Sequence, residues 1–131
     1  MVCTNDHKTH PEIWLQPSPS LPLEVLLTAV KGKHVTATPR LGARNGNHKK
    51  GYEQGQIATL RVIDYTCVDH LHQKVRIRAV TTRPLQELTS DDLGNTVWYQ
   101  SWQDVQRELS FFEKRPVGSS EEVSIVKFLY L

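Results

Sequence analysis

Hydrophobic and polar positions follow three rhythms along this chain. The first eleven residues, MVCTNDHKTHP, are polar without an apolar period and predict a flexible lead-in over 1–11. Glu12–Gln16 is a short strand candidate. Pro17, Pro19 and Pro22 then block helix propagation, and Pro22 suits the first turn of a helix. Leu23, Leu26, Leu27 and Val30 form one helical stripe, which Lys31 and Gly32 end favourably. His34–Thr38 alternates with β-branched residues and predicts a strand that Pro39 ends or confines to a sheet edge.

Residues 41–55 have no apolar period but hold four glycines and two asparagines, which predicts a long loop. Ile57–Tyr65 and Lys74–Thr81 read as strands joined by a hairpin-like connection over Cys67–His72. In the second of these, Val75, Ile77 and Ala79 share one face and Arg76 and Arg78 the other. Ser90 is expected to cap a short turn through Leu93. Ser101 with Asp104 is expected to form a capping box for a second helix, whose buried side carries Trp102, Val105, Leu109 and Phe112. Arg115-Pro116 ends it, and Val123–Tyr130, apolar on both faces, reads as a central strand. The order of elements predicts an α+β chain with a small curved sheet or barrel rather than a repeating βαβ array.

Composition changes this picture little. A chain of 131 residues is expected to form one domain, and a net charge of +2 does not announce a nucleic-acid binder, so local clusters must carry any such reading. Cys3 and Cys67 lie far apart with neither a disulfide framework nor zinc spacing, which makes a reducing, cytoplasmic setting the simplest expectation. No apolar run approaches the roughly 20 residues that span a bilayer, and the polar start is unlike a secretory signal.

The chemistry concentrates in Gly32–Arg40, GKHVTATPR, and in the loop after it. Lys33 and Thr38 are candidate catalytic residues. A threonine hydroxyl is a poor nucleophile until a base takes its proton, and a lysine serves only when its pKa is lowered. Arg40, Arg44, His48, Lys49 and Lys50 make a basic run among Gly42, Gly46 and Gly51, where backbone can approach a phosphate closely. Thr36, Arg40, Arg44, Lys49, Lys50, Tyr52 and Trp98 are candidate ligand- or RNA-binding residues, with Tyr52, Trp98 or Tyr99 able to stack on a base. Thr36 and Thr38 are equally ordinary strand formers. His70 and His72, beside Asp69, have metal-ligand spacing but no evident third ligand, so neither a metal nor a cofactor is expected.

The order of elements, with GKHVTATPR after the first helix, resembles the ASCH domain, a branch of the PUA-like β-barrel folds. Leu23–Arg40 is similar to that family's helix and Gly-x-Lys-x-x-(Glu/Thr)-x-Arg signature. YEQGQI (Tyr52–Ile57) resembles its aromatic-x-x-Gly-Asp-hydrophobic entry into the next strand, Val75–Thr89 its strand and Leu-Thr turn, and Val123–Leu131 its terminal strand. The resemblance covers 12–131 and implies a PUA-like barrel of about five to six strands with two main helices. It implies RNA or a modified nucleoside as partner and is consistent with a monomer.

One branch of the family deacetylates N(4)-acetylcytidine with a lysine, a threonine and a downstream glutamate. Thr38 matches the threonine. The signature here is one residue longer, so counting from Arg40 puts Val35 at the lysine position, with Lys33 the nearest lysine. The glutamate falls near Asn95, with Glu87, Asp91 and Asp92 close by. RNA or nucleotide binding is therefore the first expectation, amidohydrolase activity the second, and a protein-interaction module the third.

Overall fold

A computed structural model describes residues 11–44, 51–94 and 99–131. Five strands, β1 (Glu12–Leu15), β2 (Ala37–Leu41), β3 (Ile57–Ile63), β4 (Asp69–Pro84) and β5 (Glu122–Tyr130), form one sheet in the order β1-β3-β4-β5-β2. Only β1 and β3 pair in parallel; the other neighbours are antiparallel. The sheet curls into a half-barrel flanked by α1 (Leu23–Lys31) and α2 (Trp102–Glu113), in agreement with the predicted α+β class.

β5 occupies the interior of the sheet, as its apolar pattern predicts. Val126 and Phe128 pack with Ile13, Leu26, Leu60 and Val75 beneath α1. Val123 and Ile125, on the opposite face, pack with Leu85, Val105 and Leu109 beneath α2. One strand thus joins two apolar clusters because successive side chains leave the pleat on opposite sides.

Several boundaries differ from the sequence reading. α1 ends in a Schellman turn: His34 N–H donates to Ala29 O at 2.8 Å and Lys33 N–H to Val30 O at 2.9 Å. Lys33 takes the left-handed position, φ 60°, that glycine usually fills. The turn consumes residues assigned to the strand, so β2 starts at Ala37 rather than His34. Pro39 lies inside β2, which is tolerated because β2 is an edge strand.

The hairpin turn spans Asp64–Val68, where the Asp64 carboxylate accepts from Thr66 and Val68 N–H groups. His70 and His72 therefore stand on β4 rather than in the connection; they pair with Asp64 and Asp69 respectively. Arg76 and Arg78 are exposed, and the pairing with β5 shifts register between Ile77 and Ala79.

Thr89, not Ser90, organises the turn before Leu93, exchanging bonds with Asp92. Ser101 caps α2 without a side-chain bond: Asp104 N–H donates to Ser101 O, and the Asp104 carboxylate accepts from Gln100 N–H rather than closing the capping box. Pro11, assigned to the lead-in, is tied to the sheet through its carbonyl, which accepts from Thr59 N–H at 3.0 Å. Cys67 is disulfide-bonded, which removes the ground for expecting a reducing compartment. Among the described residues no helix is long and apolar enough to cross a membrane.

Candidate nucleotide-binding cleft

The curl of the sheet brings its two edges, β1 and β2, to either side of one cavity of about 400 Å³. An edge strand presents unpaired backbone groups that need partners. Here side chains supply them. Tyr52 Oη donates to Glu12 O at 2.6 Å, and Arg40 Nη2 donates to Trp14 O at 2.5 Å. Glu12 and Trp14 are two residues apart in β1, so their carbonyls leave the same side of the strand.

Thr38 and Arg40 share one face of β2 by the same alternation. Arg40 Nη1 donates to Thr38 Oγ1 at 2.7 Å and to Pro39 O at 2.8 Å. The guanidinium is thus held by both edges, and it also donates to Tyr52 Oη. Thr38 is only 3% exposed.

Arg44 reaches the same cavity through a chain of backbone anchors. Gly42 adopts φ 80°, a left-handed conformation that glycine supplies without strain, and turns the chain out of β2. Ser124 of β5, fully buried at 0%, donates to Gly42 O at 2.7 Å and accepts from Arg44 N–H at 2.9 Å. Arg44 O accepts from Tyr52 N–H at 2.7 Å, which clips the two ends of the basic loop together. Arg44 Nε donates to Leu41 O at 3.1 Å, leaving its terminal amino groups uncommitted among the described residues. Burial, then the charge of Arg40, pushes the Arg44 guanidinium down from its ordinary pKa. Glu108 and Glu113 also line the cavity, and the Glu113 charge acts in the opposite sense on Arg44, so the site sets two guanidinium groups against two carboxylates.

The far wall comes from α2. Glu108 occupies the position between Val105 and Phe112 on the buried stripe and is 9% exposed. Its Oε1 accepts from Ser18 Oγ at 2.9 Å, and its Oε2 accepts from Tyr99 Oη. Burial and this carboxylate push the Tyr99 phenol well above its ordinary pKa, so Tyr99 stays a donor. Burial likewise raises Tyr52. Trp14, Tyr52, Tyr99 and Phe112 give the cavity aromatic walls.

Of the residues singled out from the sequence, Thr38, Arg40, Arg44, Tyr52 and Tyr99 meet in this cavity. Thr36 lies just before β2 and does not line it; its carbonyl accepts from Phe128 N–H. Lys33 is exposed on the turn after α1, also outside the lining. Lys49, Lys50 and Trp98, like Asn95, fall outside the described residues. Of the alternative carboxylates, Glu87, Asp91 and Asp92 do not line the cavity, and Asp92 pairs with Arg83. Glu108 was missed. Its signal was a charged residue between apolar partners on one helix stripe.

No family model and no curated protein matches the sequence. The structure is similar to a DUF984-family protein of Enterococcus faecalis V583, with TM-score 0.58 and 14% identity over 93% of this chain and 80% of that one. It is also similar to an ASCH domain from Lactobacillus crispatus JV V101, with TM-score 0.57 and 12% identity over 82% of this chain and 70% of that one. The fold is therefore ASCH-like, in agreement with the resemblance drawn from the order of elements with GKHVTATPR after the first helix.

Proposed function

We propose that this protein binds a nucleotide unit, free or within RNA, in the cavity between the sheet edges. One observation carries the reading: the Arg40 guanidinium and the Arg44 terminal amino groups, the latter uncommitted among the described residues, line the same aromatic-walled space as Thr38. Arginine forks onto phosphate or a base carbonyl, and aromatic faces take a base. A cavity near 400 Å³ falls within the usual range for small-molecule sites, roughly 300–1,000 Å³.

Glu108 favours a second reading, hydrolysis of N(4)-acetylcytidine, because it puts a carboxylate in the cavity with Thr38. Lys33, the base that this chemistry would use, lies outside the cavity, and the Thr38 hydroxyl accepts from a guanidinium instead. Binding therefore takes precedence.

Calorimetric titration with nucleoside monophosphates and with a short single-stranded RNA tests the reading. Saturable binding that weakens with salt is expected, because phosphate contacts release counterions. Absence of binding to every probe would overturn it. Acetate release from N(4)-acetylcytidine, lost in Thr38→Val, would replace it with the hydrolase.

A further inference from the structure

Glu108 is a buried carboxylate whose partners are both hydroxyls. Ser18 Oγ donates to one oxygen and Tyr99 Oη to the other. Among the described residues no lysine, arginine or histidine forms an ion pair with it. Buried charges are ordinarily paired, and each carboxylate oxygen keeps a second lone pair after accepting one bond. The carboxylate also lines the cavity, so those lone pairs are open to an occupant.

Resting on the nucleotide reading, we propose that Glu108 makes the cavity selective for guanine. A carboxylate receives two parallel N–H bonds best from adjacent donors, the geometry in which it meets an arginine fork. Guanine presents adjacent donors, N1–H and the N2 amino group, on its Watson–Crick edge. Adenine and cytosine offer one amino group beside a ring acceptor, and uracil offers one N–H between two carbonyls. Each of those would set an acceptor against the buried carboxylate. Arg40 and Arg44 then remain for the O6 carbonyl or the phosphate. Ser18 and Tyr99 act as positioning residues that hold the carboxylate plane.

The test is calorimetric titration of the full chain with GMP, IMP, AMP, CMP and UMP. GMP is expected to bind roughly ten- to a hundredfold tighter than AMP, CMP or UMP. IMP, which lacks only the N2 amino group, is expected to fall between them, and this arm needs no variant. Glu108→Gln is nearly isosteric and should bring GMP to the level of the others. Equal binding of GMP and IMP, or a GMP preference that survives Glu108→Gln, would overturn the inference and leave the nucleotide reading intact. No binding by any nucleotide, with the short RNA also silent, would overturn both.

Discussion

Arg40 on one sheet edge donates to the carbonyl of Trp14 on the other, at 2.5 Å. The contact bridges the seam of the half-barrel and places a guanidinium at the cavity. The same group also holds Thr38 Oγ1 and Pro39 O.

Arg40→Lys should therefore cost stability although charge is kept, because an ammonium cannot hold both edges in a planar fork. A loss of about 1–3 kcal/mol is expected from urea denaturation, the usual effect of removing hydrogen bonds to a charged group. Thr38→Val should cost about 1 kcal/mol by removing the acceptor for Nη1. Stability unchanged in Arg40→Lys would show that the clasp contributes nothing to closing the seam.

Arg44 differs because its terminal amino groups hold nothing among the described residues. Arg44→Ala should leave the fold intact and weaken RNA binding. The slope of log affinity against log salt should fall by about one. A slope equal to that of the unmodified chain would exclude Arg44 from phosphate contact.

Lys33 occupies the left-handed position of the Schellman turn, φ 60°. A side chain there is strained, whereas glycine is not. Lys33→Gly is expected to raise stability by about 0.5–1 kcal/mol in thermal denaturation. Lys33→Ala should leave nucleotide affinity within about twofold, since the residue stands outside the cavity. A larger loss would return Lys33 to the site.

Glu121 illustrates the pH dependence. Arg115, at 2.7 Å, and then the Gly118 N–H hold its carboxyl down at about 2, from an ordinary 4.5. A carboxyl lowered in the folded state contributes stability that is complete above the unfolded value. That contribution is lost as the pH falls from about 4.5 towards 2. Arg115→Gln should move the Glu121 titration, followed by carboxyl carbon NMR, back towards 4.5. No movement would assign the depression to the backbone donor alone.

Much of the fold was legible because it rests on local periodicity. The stripe of α1 and the doubly apolar β5 follow from side chains whose spacing matches one element, and Pro39 left β2 either ending there or at a sheet edge, of which the fold takes the second. Boundaries were less legible where a turn competed for the same residues. His34 reads as strand by alternation, but the helix end claims its N–H for Ala29. Asp69–His72 reads as a connection, yet the Asp64 carboxylate closes the turn earlier and frees those residues to pair in β4.

The site divides in the same way. Sequence alone determined that Thr38 and Arg40 share a strand face, because two residues apart in a pleat always do. It also determined that Gly42 and a polar loop place Arg44 just beyond that strand. Only the tertiary structure decided which groups meet them. Trp14 and Glu12 come from the opposite sheet edge, Tyr52 from the far end of the loop, and Glu108 from a helix about seventy residues on. The curl of the sheet, with its two apolar clusters on opposite faces of β5, brings these partners together. That packing is summed over many side chains, and no local spacing encodes it.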